Sequence, residues 1–130
     1  MEIYKNKKVL IVDDMRAVRI MLEKSLLKIG FLKENLSNAE NGKKALDIVK
    51  AQPVDLVITD LNMDEMDGLE FLTATKATPG LEKIIFIVLT SDADKGRATS
   101  LFAAGASKLM LKPLNETELA RLVGEVFKEA

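Results

Sequence analysis

The sequence contains no cysteine, no histidine and no tryptophan. Without cysteine there is no disulfide framework and no thiol nucleophile, and without histidine there is no Cys/His zinc site and no catalytic triad built on an imidazole. Oxygen chemistry and lysine remain. Any bound metal is expected to be a hard cation held by carboxylates and carbonyls, with magnesium, manganese or calcium the candidates. Long apolar runs are also missing. The longest is Ile84 to Leu89, far short of the roughly eighteen residues that span a bilayer. Lys5, Lys7 and Lys8 precede only the short apolar stretch Val9 to Val12, too little for a signal-peptide core. A cytoplasmic protein without a membrane partner is expected. Nor is there an excess of either charge: 19 Lys plus Arg oppose 20 Asp plus Glu, for a net charge of −1. Nothing in that balance points to nucleic acid.

What is present is a chain of 130 residues, 48% hydrophobic and 30% charged, enough for one hydrophobic core and too short for two domains. Four segments are nearly continuous in Val, Ile and Leu: Val9 to Val12, Val54 to Thr59, Ile84 to Leu89 and Leu109 to Leu111. Such runs are expected of parallel strands covered by helices on both faces, since a half-solvated sheet alternates apolar and polar residues. A fifth, weaker strand is expected over Asn35 to Ala39.

Between the strands the period changes to that of a helix. Val18, Met21, Leu22, Leu26 and Ile29 form one apolar stripe, followed by Gly30 as a stop. Lys43 to Ala51 buries Ala45, Ile48 and Val49 before Pro53; further helices are expected over Leu69 to Lys76 and Ala93 to Ala104. Leu119, Leu122, Val123, Val126 and Phe127 mark the last. Strand and helix alternate five times, which right-handed crossovers turn into a doubly wound α/β fold with a five-stranded parallel sheet.

In open parallel sheets ligands bind beyond the carboxyl ends of the strands. Those ends are polar here: Asp13 and Asp14 after the first strand, Asp60 after the third, Thr90 and Ser91 after the fourth, and Lys112-Pro113 after the fifth. Each has a plain alternative. Asp14 would serve as a helix N-cap, Asp60 as a turn residue, Thr90 or Ser91 as a cap, and Lys112 as a solvated charge. Their joint occurrence around one rim is what those readings do not explain. Three carboxylates packed together repel, so one must hold a proton or a cation must lie between them. Magnesium suits such a rim and commonly binds with phosphoryl oxygens. Asp60 could then attack phosphorus and become an aspartyl phosphate, with Thr90, Lys112 and backbone N–H groups stabilising the transferred group. With no histidine in the chain, the phosphoryl donor is external.

These residues resemble the response-regulator receiver domain of two-component signalling across nearly the whole chain. The resemblance rests on Asp13-Asp14, on Asp60-Leu61-Asn62-Met63 with Met66-Asp67-Gly68, on Leu89-Thr90-Ser91, on Gly105-Ala106-Ser107 and on Lys112-Pro113, with Asn41-Gly42 before the second helix. It implies a flavodoxin-like strand order, 2-1-3-4-5, and a cis Lys112-Pro113 bond. It implies Asp60 as phosphoacceptor, Thr90 and Lys112 on the phosphoryl group, and Mg2+ or Mn2+ held by Asp14, Asp60, the backbone carbonyl of Asn62 and, through water, Asp13. It also implies a histidine kinase as phosphodonor, slow self-dephosphorylation influenced by Asn62 and Asp92, and no separate enzymatic activity. The surface of the fourth helix, fifth strand and fifth helix, with Lys95, Arg97, Lys108 and Leu109, is the expected face for a downstream protein, the flagellar motor switch being one candidate.

From Met1 to one helix beyond Lys112-Pro113, residues 1–130 are expected to form a single-domain, monomeric regulator similar to chemotaxis receivers. Two positions depart from the family pattern. Leu109 stands where many receivers carry a Tyr or Phe switch, and Asp64 stands where Pro is usual, adding a carboxylate near the metal. Three rivals are weighed. A receiver-like interaction module that is never phosphorylated would keep the fold alone. A haloacid-dehalogenase-type phosphatase would want a second Asp where Asn62 stands. A flavodoxin-like electron carrier would want a Ser/Thr/Gly-rich loop where Asp13-Asp14 stand.

Overall fold

The computed structural model describes residues 2–91 and 95–129. Asp92 and the expected helix start at Ala93 lie outside the described residues, and so does the side chain of Lys95. A short 3-10 turn, Glu2–Tyr4, leads into five strand and helix pairs. In chain order these are β1 (Val9–Val12), α1 (Arg16–Ile29), β2 (Leu36–Ala39), α2 (Gly42–Ala51), β3 (Leu56–Asp60), α3 (Gly68–Ala77), β4 (Ile85–Thr90), α4 (Lys95–Ala104), β5 (Lys108–Leu111) and α5 (Glu116–Glu129). All pairings are parallel and the sheet order is β2-β1-β3-β4-β5. The flavodoxin-like order expected from the resemblance is therefore the one observed.

The uninterrupted apolar runs follow from burial on both faces. Val9 and Ile11 of β1, Leu56 and Ile58 of β3, and Ile87 and Leu89 of β4 face a core closed by α1 and α5. Leu10, Val12, Val57, Phe86 and Val88 face the opposite core under α2, α3 and α4. Alternate residues of each strand thus enter different cores, and both faces favour apolar side chains, with the small hydroxyl of Thr59 a buried exception. Phe71 and Phe86 meet edge-on at 5.3 Å in the second core, while Tyr4 stacks on Phe31 at 4.6 Å in the first.

Local signals end the elements where the chain needs them to. Gly30, at φ 127°, returns its N–H to the Leu26 carbonyl and closes α1. Asn41 caps α2, and Asp67 with Glu70 makes a reciprocal capping box at α3.

Three expectations change. Met21 is half-exposed; the inward face of α1 runs instead through Val18, Leu22, Ser25, Leu26 and Ile29. The last strand is not buried throughout: Leu111 is 55% exposed, since β5 is an edge strand paired only with β4. Strand limits also shift. Val54 lies outside β3 and Ile84 outside β4, while Asp60 and Thr90 are the last residues of their strands.

Candidate functional site

Parallel register assembles the site. Val12 pairs with Thr59, so the residues that follow, Asp13 and Asp60, emerge side by side. Asp60 pairs with Leu89 and Thr90 with Leu111, which carries Thr90 and Lys112 to the same edge. Side-chain parity adds to this: Ile11, Ile58 and Met110 all enter the α1/α5 core, and Asp13, Asp60 and Lys112 continue those three series two residues on.

Asp60 is almost wholly buried; its Oδ1 accepts the Leu61 N–H at 2.9 Å and lies 2.8 Å from the Lys112 ammonium. The Lys112 side chain is one-third exposed, so it bridges the buried carboxylate and solvent. Its peptide bond to Pro113 is cis, as the resemblance implied. Thr90 is buried, and its carbonyl accepts the Lys112 N–H at 2.9 Å.

Asp13 is fully buried, with Oδ1 accepting the Met15 N–H at 2.9 Å and Oδ2 without a hydrogen-bond partner. Burial raises its carboxyl to about 6; the charges of Asp60 and Asp14 push the same way, against the Met15 N–H and Lys112. Asp14 is exposed and does not cap α1, where Met15 holds the cap position and no side chain closes the end. The helix-cap alternative for Asp14 therefore fails.

One oxygen from each of Asp13, Asp14 and Asp60 lies within 4.8 Å of the other two. This donor set fits a hard divalent cation, which takes carboxylate oxygens at about 2.1 Å, and the buried, unpartnered Asp13 Oδ2 is an atom that such an ion would satisfy. Asp64, exposed in the loop after Asp60, is not a member of that group among the described residues. Asn62 is exposed just past Asp60.

The chain matches the profile of the response regulator receiver domain over residues 9–124. It belongs to the response regulator receiver family. A probable chemotaxis protein CheY of Rhizobium etli is 35% identical to this receiver over 98% of the chain and 97% of the relative. Chemotaxis protein CheY-3 of Vibrio cholerae is 30% identical over 95% of the chain and 94% of the relative. The crystal structure of Vibrio cholerae CheY4 superposes on the receiver with a TM-score of 0.84 at 28% identity, covering 92% of this chain and 98% of that one. Receivers are phosphorylation switches of two-component signalling that take a phosphoryl group from histidine kinases, bind Mg2+ in an acidic pocket and engage downstream targets. No helix among the described residues is long and apolar enough to cross a membrane.

Several features of this receiver were not anticipated. Arg19 of α1 donates to the Asp13 carbonyl at 2.7 Å, bracing the peptide between the two acidic residues. A side chain at Gly68 would force the backbone to shift, because a Cβ would lie 2.4 Å from the Asp60 carbonyl oxygen. Phe102 of α4 is 49% exposed and Leu111 lies exposed on β5. On the face expected to meet a partner, Lys108 is instead partly buried and paired with Glu125 at 3.0 Å, and Leu109 is half-buried against the α2/α3/α4 core. Arg97 is likewise half-exposed.

Proposed function

We propose that this receiver accepts a phosphoryl group from a kinase phosphohistidine onto Asp60 and so switches the face built from α4, β5 and α5. The observation that carries this reading is the buried Asp60 carboxylate, paired with Lys112 and neighboured by two further aspartates. Asp13, Asp14, Asp60 and the Asn62 carbonyl would hold Mg2+ or Mn2+, Asp13 through water; the ion supplies charge neutralisation and coordination of phosphoryl oxygens. The chain's own residues do the rest. Asp60 Oδ1 is committed to Lys112 and to the Leu61 N–H, which leaves Oδ2 to attack phosphorus. An O–P bond forms, the P–N bond to the partner's imidazole breaks, and the imidazole leaves with the bonding electron pair. Lys112 and the Thr90 hydroxyl stabilise the equatorial oxygens as charge spreads over them. Phosphate at Asp60 adds negative charge to which Lys112 and Thr90 respond, at the ends of β5 and β4, and those strands lead to the expected partner face. That the relatives are named chemotaxis proteins supports a motor-switch protein as the downstream target.

The test is incubation with Mg2+ and acetyl phosphate, followed by mass spectrometry. One phosphoryl group is expected on the wild type and none on Asp60→Asn. Absence of a mass gain, or a gain that survives Asp60→Asn, would overturn the assignment and favour an unphosphorylated interaction module.

A further inference from the structure

Glu65, in the loop between Asp60 and α3, has φ 68°, the single left-handed non-glycine residue among those described. The Met66 N–H reaches back across it to the Asp64 carbonyl at 2.8 Å, closing a three-residue turn whose central residue has positive φ. That turn is rare and strained, and a residue bearing a Cβ keeps it only where the surroundings impose it.

The surroundings are the N-terminus of α2. Asn41 Oδ1 accepts the Lys44 N–H at 2.9 Å as the helix cap, which turns its Nδ2 away from the helix, and Nδ2 donates to Glu65 Oε2 at 3.2 Å. The next residue, Gly42, donates its N–H to the Met66 carbonyl at 3.0 Å. A Cβ on Gly42 would lie 2.4 Å from that same oxygen, so the approach is as close as backbone allows. The cap residue and the first residue of α2 thus grip two consecutive residues of the loop. An aspartate would cap α2 as well as asparagine does and would suit the helix dipole better. Of the two, only asparagine also offers the N–H that Glu65 accepts.

We infer that Asn41 and Glu65 are positioning residues: they strap the loop after the phosphoacceptor into its strained turn and so set the backbone around Asn62 for the divalent cation. This rests on the phosphoryl-transfer reading above. Release of the strap lets the turn relax, and the cation then loses a preorganised backbone partner.

Asn41→Asp tests this with opposed signs. The variant keeps the cap acceptor and adds a negative charge near the acidic pocket, which by charge alone tightens Mg2+ binding. It also sets two carboxylates against each other at Glu65, which breaks the strap. The expected result is Mg2+ affinity at least threefold weaker than wild type in a titration, with faster amide exchange at Gly42 and Met66. The double variant Asn41→Asp, Glu65→Gln restores a hydrogen bond of reversed polarity at wild-type net charge and should return both readouts to within twofold of wild type. Asn41→Ser, which keeps a cap and adds no charge, should also weaken Mg2+ binding and covers failure of the first variant to fold. Unchanged or tighter Mg2+ binding in Asn41→Asp, or no recovery in the double variant, overturns the strap while leaving the phosphoryl-transfer reading intact. A wild-type protein that binds no Mg2+ overturns that reading itself; unchanged exchange at Gly42 and Met66 in Asn41→Asp then separately overturns the strap.

Discussion

Asp13 shows how one residue carries a cost in the fold for the sake of the site. Its Oδ2 is buried without a partner and its carboxyl is raised to about 6, so the folded state binds a proton more tightly than an unfolded chain, where an aspartate titrates near about 4. By linkage the stability of the metal-free protein falls as pH rises between those values and stays low above them. Asp13→Asn removes that penalty. In urea unfolding at pH 8 with chelator, the variant is expected to be more stable by about 1–2 kcal/mol, less than the full shift because the amide accepts the Met15 N–H more weakly. At pH 4 the difference should shrink toward zero. In Mg2+ titrations the same variant is expected to bind far more weakly. A variant less stable than wild type in chelator would show that the charge is compensated in the fold.

At the scale of elements, glycines decide how closely the loops approach the strand ends. At Gly68 the obstacle is steric: a Cβ would meet the Asp60 carbonyl at 2.4 Å and Leu61 Cα at 2.9 Å, both backbone atoms that cannot rotate away. At Gly80 nothing lies within 4 Å, and φ of 90° is the sole obstacle. Backbone collision outweighs conformational preference, so Gly68→Ala is expected to cost about 2–4 kcal/mol and Gly80→Ala about 1 kcal/mol. Urea midpoints give both values, and acetyl phosphate labelling should fall in Gly68→Ala while remaining normal in Gly80→Ala. Equal costs would mean that the loop after Asp60 yields more easily than its contacts imply.

The whole molecule is two cores sharing one sheet. Tyr4, the sole tyrosine, is buried in the α1/α5 core and reports on that face by fluorescence, whereas circular dichroism reports on every helix. Because each central strand sends alternate residues into both cores, neither face can melt alone, and the two signals are expected to give one coincident unfolding transition. Leu26→Ala on one face and Phe71→Ala on the other should each cost about 3–5 kcal/mol and leave the transitions coincident. Separation of the two signals in Phe71→Ala would show that the cores unfold independently. Under the proposed transfer to Asp60, the same shared sheet would give a phosphoryl group at its C-terminal edge a rigid frame against which α4 and β5 could respond.

The residue types alone settled much of this. Continuous Val/Ile/Leu runs alternating with helical stripes sufficed for a parallel α/β fold, because two-sided burial favours apolar residues along the central strands. Asp13, Asp60, Thr90 and Lys112 could be singled out because each directly follows or ends such a run. The edge position of Leu111 and the exposure of Met21 were not legible, since both depend on which neighbours cover them. The role of Asn41 was hidden for the same reason: a cap shows in local sequence, but its second hydrogen bond, to Glu65, exists only where α2 meets a loop from another part of the chain. The strained turn at Glu65, the orphaned oxygen of Asp13 and the register that sets Asp13 beside Asp60 are likewise products of long-range packing, which brings together groups whose spacing along the chain bears no relation to their separation in space.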